Sequence, residues 1–229
     1  MRTTKRSRHR RGWHVVLGCL LTACSDGDQA SEVTTATSDR AAVEVTSAPV
    51  ASDARVVAAI EGFDVAEPAN VGSRAALTIM ILTDPESTRS TAKNLVGSDD
   101  PDVRLAAIYA LSTTLSSVDV DALAPVLEST DPRERVLAAA GLLAVGDARA
   151  VPVLIASLDD DTPIALGFPP VHVWERARVA LLQATGEDFG LREAAAAAAA
   201  AATIPDWELW WAGAEADFQF VPAADPFGS

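Results

Sequence analysis

The chain is poor in the residues from which reactive sites are built. Its 229 residues include two cysteines and three histidines. Cys19, Cys24, His9 and His14 all fall within the first 24 positions, so His172 stands alone beyond them. The body of the chain therefore has no thiol and imidazole set for a zinc site and no cysteine pair for a disulfide. A Ser-His-Asp relay would have to rest on His172, and no glycine-rich phosphate loop occurs. Six Phe, five Trp and one Tyr are too few for an aromatic-rich β sandwich. Basic charge is short too, with 18 Lys and Arg against 32 Asp and Glu and a formal net charge of −14. Six of the basic residues lie in residues 1–23, which hold no acidic one, so the remainder carries −20. A body that acidic repels phosphate backbones, which argues against nucleic acid as a partner.

What is abundant is alanine, arranged in a repeat. Residues 98–129 and 130–160 say the same thing twice, with Pro101 and Pro132 marking a period of 31 residues. Asp100 and Asp131, Arg104 and Arg135, Ala107 and Ala138, Leu111 and Leu142, and Leu127 and Leu158 keep the same offset. In the second copy Asp131 caps a helix, Pro132 opens it, and Glu134 stands where a capping box would place it. Val136, Leu137, Ala140, Leu143 and Ala144 follow at helical spacing. Gly146 stops the helix, Asp147 starts the next, and Val151, Leu154, Ile155 and Leu158 form a second stripe. Helices this short are unstable alone, so each hairpin must bury its faces on its neighbours. The reading is an all-α fold, an α-α superhelix of about four hairpins.

Finer expectations follow from the same pattern. Ala107, Ala110, Ala138 and Gly141 mark close approach between the two helices of a hairpin. Arg104 and Arg135 are either ligand contacts or, as preferred here, rungs of a ladder to acidic loop residues such as Asp100 and Asp131. Helices are expected over Val50–Gly62 and Val71–Leu82, with a further start at Asp84-Pro85. Pro125 kinks or delays the second helix of its unit. In the fourth unit Pro163 keeps the phase, but an insertion over 162–173, holding Phe168, Pro169, Pro170 and His172, interrupts it and should form a surface loop. Helix then resumes, with Val173, Ala177, Ala180 and Leu181 matching Val103, Ala107, Ala110 and Leu111, and Trp174 in the place of Arg104. Nine alanines at 194–202 form helix readily. The Trp207, Trp210 and Trp211 cluster is a ligand platform or, preferably, a cap on the end of the stack. The acidic run Asp159-Asp160-Asp161 reads as solvated loop charge rather than a calcium site.

The first 23 residues read as an export signal: a basic stretch to Arg11, then a short apolar stretch from Trp13 to Ala23. Leu21-Thr22-Ala23-Cys24 resembles the lipobox of bacterial lipoprotein signal peptides. That resemblance implies cleavage before Cys24 and lipid attachment at its sulfur, anchoring the chain to the cell membrane or outer membrane with the body in the periplasm or outside the cell. Ser25, in place of an Asp, leans towards the outer membrane. Arg10-Arg11 leaves Sec and twin-arginine export both open. Residues 24–48 read as a flexible tether, 49–211 as the repeat domain and 212–229 as a frayed tail.

The phrase DP-x-VR-x-x-A-x-x-AL at 100–111, with VP-x-LI-x-x-L at 151–158, resembles HEAT repeats of the phycobilisome-lyase-like type. The TGEDFG stretch at 185–190 and the tryptophans at 207–211 resemble the terminal unit of bacterial HEAT-repeat proteins. The resemblance implies a superhelix whose second helices line a concave, protein-binding face. Iron-binding His-Glu pairs found in some HEAT-repeat enzymes do not occur here. The expected function is a non-enzymatic interaction scaffold with a protein partner, no cofactor and no evident small-molecule substrate. A bilin lyase-like enzyme or enzyme subunit, and a purely structural envelope lipoprotein, are the alternatives.

Overall fold

The computed structural model describes residues 50–63, 71–166 and 170–220. Cys24, the signal and the tether lie outside them, as do Phe168 and Pro169 of the insertion. The described chain is helical: α1 (Val50–Glu61), α2 (Val71–Thr83), α3 (Pro85–Leu95), α4 (Pro101–Thr114), α5 (Val120–Leu123), α6 (Pro132–Ala144), α7 (Ala150–Ala156), α8 (Val173–Thr185), α9 (Ala197–Ala201) and α10 (Ile204–Ala214). One antiparallel pair interrupts them, β1 (Pro163–Ile164) with β2 (Val171–His172). The expected all-α repeat fold is what the chain adopts.

The two clear units, and α3 before them, start by the same chemistry. Asp84, Asp100 and Asp131 precede a proline in the first turn, and their carboxylates accept backbone N–H bonds from the helices they cap. Gly146, at φ 89°, ends the turn after α6 in a left-handed conformation that glycine adopts without strain. Pro125 has the expected effect: the second helix of that unit is α5, a single turn of α-helix between two 3-10 turns.

Two layers result. The first helices α2, α4, α6 and α8 stack side by side, α3, α5 and α7 pack against them, and α10 packs on α7. α6 touches α4, α5, α7 and α8, and its buried residues accordingly go nearly all round, from Val136 through Leu143. A narrow stripe was expected; neighbours on several sides widen it.

The small residues are buried, and at Gly141 the close contact is not the one expected. A Cβ built on Gly141 would lie 2.7 Å from Ser112 Cα and 2.8 Å from Ser112 O. At Gly141 the close approach is thus between first helices of successive units, α4 and α6, rather than within one hairpin. Gly141→Ala gains about 1 kcal/mol of helix propensity but meets backbone that cannot rotate away, and overpacking of this kind costs about 1–3 kcal/mol. A net loss of about 1–2 kcal/mol is expected as a lowered urea midpoint. An unchanged or raised midpoint would mean that α4 and α6 stand further apart.

Three expectations are corrected by packing. The insertion is not merely a surface loop: Ile164 and Leu166 are buried, and Arg74 of α2 donates to Ala165 O at 3.4 Å, so the segment reaches back across the stack. The polyalanine run is helical only over α9; Ala194 and Ala196 are extended. Ala194 is buried, and its carbonyl accepts a 2.7 Å bond from Arg178 Nη1, so tertiary contacts override propensity there. The stretch read as a tail from 212 begins inside α10, and Phe218 then packs on Trp210 and Trp211.

Candidate binding surface

The arginine ladder has one rung of the expected kind, with a different partner. Arg104 Nε bonds Glu134 Oε1 at 2.8 Å, joining one unit to the next, and Arg104 Nη1 donates to Ser98 O at 2.7 Å. Ser129 Oγ donates to the other oxygen of Glu134 at 2.5 Å. Glu134 is therefore spent on its neighbour and its own loop, not on a capping box. Asp100 and Asp131 cap helices instead of meeting the arginines of the ladder. Arg135 repeats half of the pattern, donating to Ser129 O at 2.8 Å. Its next rung is missing for a reason visible in the repeat: where the second unit has Glu134, the last has Val173. Asp131 also pairs with Arg133, at 2.6 Å. Burial pushes the Asp131 carboxyl up, but the hydrogen bonds and charge of Arg133 together hold it below the usual carboxylate range.

A second tie between units was not foreseen. Asp119, buried just before α5, receives Lys93 at 2.7 Å and Arg89 at 3.4 Å, both from α3.

Other nominated residues have structural roles. His172 caps α8 reciprocally with Glu175, whose carboxylate accepts the His172 backbone N–H at 2.8 Å. Of the acidic run, Asp160 accepts the Thr162 N–H at 2.8 Å, and Asp161 accepts Trp174 Nε1 at 3.1 Å. Among the described residues no group of three His, Cys, Asp or Glu could hold a metal ion, and no helix is long and apolar enough to cross a membrane. The tryptophans form a packed cluster. Trp207 lies edge-on to Phe189 at 5.0 Å and to Trp210 at 5.6 Å, and it is fully buried. That geometry belongs to an end cap and not to an open platform.

Two clefts remain. One, of about 260 Å³, lies between α7 and α10 over Trp211, with Glu208 and Glu215 on its rim. The other, of about 280 Å³, opens on the layer of first helices. Ser112 and Thr113 come from α4, Leu143 and Ala144 from α6, and Val179 and Gln183 from α8, with Phe220 at one side. Arg176 of α8 reaches into it. Its Nε is buried with no hydrogen-bond partner. Burial lowers its pKa, and the titratable neighbour is the Tyr109 hydroxyl rather than a carboxylate. The repeat could have flagged this residue. In the alignment that matches Val173 to Val103, Arg176 falls on Ala106 and, one period on, Leu137, both buried in the core. A cation in a slot twice filled by an apolar residue is the signal.

Residues 93–165, from the end of α3 through β1, match the family of HEAT repeats. The match covers about a third of the chain, including both clear copies of the 31-residue period. Such repeats generally serve as protein-interaction scaffolds rather than catalysts. Neither the curated proteins nor the solved structures include a match to this chain.

Proposed function

We propose that the chain is a non-enzymatic protein-interaction scaffold, held at a bacterial envelope membrane by lipid on Cys24. The observation that carries the scaffold reading is the face of the helical stack. Its first helices leave an apolar cleft with an arginine that the fold itself does not pair. Stacked hairpins present such surfaces because each unit contributes one strip of a continuous face. The sequence-based expectation placed binding on the second helices; the cleft on the first-helix layer is the better candidate, because the one between α7 and α10 is rimmed by two glutamates.

The anchor rests on Leu21-Thr22-Ala23-Cys24, placed directly after a basic and then an apolar stretch. More than one acyl chain on a single residue holds a protein at a bilayer where one chain would not. Cys24→Ala is expected to abolish palmitate labelling and to move the protein into the soluble fraction. Unchanged partitioning of that variant would remove the anchor. The scaffold reading is tested by crosslinking and affinity capture of the membrane-bound protein. A partner recovered reproducibly and in stoichiometric amount supports it, and repeated failure to recover one favours a purely structural lipoprotein.

A further inference from the structure

We infer that the Arg176 cleft is a carboxylate-binding site, taking an acidic residue flanked by an apolar side chain in a peptide segment of a partner protein. The inference rests on the scaffold reading and names the chemistry of its partner.

Three observations converge on Arg176. The first is its isolation. Arg89, Arg104, Arg133, Arg149 and Arg192 each pair with a carboxylate, whereas Arg176 does not, in a chain whose acidic residues outnumber its basic ones 32 to 18. Acidic side chains are plentiful, yet among the described residues none is placed to meet it. The Nε of its neighbour Arg178 is likewise buried without a partner, but Arg178 Nη1 bonds Ala194 O and the guanidinium lies 5.6 Å from the Trp174 ring, contacts that Arg176 lacks.

The second is location. Arg176 lines the cleft together with Leu143, Val179 and Phe220, and the polar residues Thr113 and Gln183 line it too. Its Nε is buried without a hydrogen-bond partner while the residue keeps part of its exposure, so a partner carboxylate entering the cleft meets a partly desolvated guanidinium. The third is size. About 280 Å³ is at the small end of ligand pockets, enough for one acidic side chain and an apolar neighbour. The surrounding charge also selects. A largely acidic surface repels polyanions such as nucleic acid, so a lone carboxylate on an apolar stretch fits better than a run of them.

The test uses the full chain in mild detergent and two fluorescein-labelled probes, the amidated peptides Ala-Leu-Asp-Leu-Ala and Ala-Leu-Asn-Leu-Ala. The Asp peptide is expected to bind saturably, and the Asn peptide about tenfold more weakly or worse, the scale of charge-assisted hydrogen bonds. Arg176→Gln should cost the Asp peptide that same factor and leave the Asn peptide unchanged. Because this variant removes a desolvated charge, it should fold with an undiminished thermal midpoint. Equal binding of the two peptides, or undiminished binding of the Asp peptide by Arg176→Gln, overturns the site. Binding that emerges only after deletion of residues 221–229 overturns the partner and assigns the cleft to the chain's own end. A captured partner retained equally by Arg176→Gln removes this site and leaves the scaffold reading standing. Specific binding of the Asp peptide with no protein captured does the reverse.

Discussion

Trp207→Ala is expected to cost about 3–5 kcal/mol, the usual range for emptying a buried tryptophan site. Trp207 is 0% exposed and touches Phe189 and Trp210 edge-on, so its removal leaves a void that these rings cannot both fill. The turn before it raises the stakes. Phe189 sits at φ 46° between Gly186 at 74° and Gly190 at 83°, a conformation unfavourable for a bulky residue. Its ring contact with Trp207 offsets that strain, and alanine at 207 would leave the strain uncompensated. Trp207→Phe should cost far less. It keeps most of the apolar volume and deletes an indole N–H that is buried without a hydrogen-bond partner. In a stack whose units touch mainly their neighbours, damage should also be local. Hydrogen exchange should accelerate first in α10 and in α7, on which α10 packs, while α1 to α3 keep their protection. Even acceleration along the whole chain, or a loss below about 1 kcal/mol, would mean that the tryptophans are not the cap.

The helices and their order were legible in the sequence because each boundary is written locally. Asp-Pro starts α3, α4 and α6, and Gly146 stops a helix within one or two residues of where it was expected. Pro125 announced the broken second helix for the same reason. What the sequence left unread depends on partners distant along the chain. Nothing near Gly141 says that its neighbour is Ser112, one unit back, rather than a residue of its own hairpin. Ile164 looks like any residue of a turn-rich insertion until β1 pairs with β2 and carries it into the core. Polyalanine is the sharpest case. Nine residues of the best helix former give a five-residue helix, since the route to α10 and the Arg178 bond to Ala194 fix the first three otherwise. The cleft at Arg176 was written in the repeat but only as a mismatch, visible after the last unit is aligned past its insertion.

Glu134→Ala is the second large effect expected, and it separates a tie between repeats from a surface ion pair. Glu134 is 4% exposed and holds two groups at once, Arg104 from the preceding unit and Ser129 from its own loop. Losing one member of a fully buried pair costs about 3–5 kcal/mol, because the other charge is stranded. The Arg104 side chain keeps about a third of its exposure, and its Nη1 still donates to Ser98 O. Water can therefore reach the guanidinium, and about 2–4 kcal/mol is the discounted expectation for Glu134→Ala. Arg104→Met alone should cost a comparable amount, since it strands the carboxylate. The double variant Arg104→Met with Glu134→Leu should recover much of the loss, because an apolar pair carries no desolvation penalty. With Glu134→Leu as the matching single variant, urea denaturation of the unsubstituted protein, the two singles and the double gives the coupling energy directly. Strongly non-additive losses place the pair in the seam between the two clear repeats. Strictly additive losses would mean that Arg104 and Glu134 act separately, and that α4 and α6 are joined by apolar packing alone.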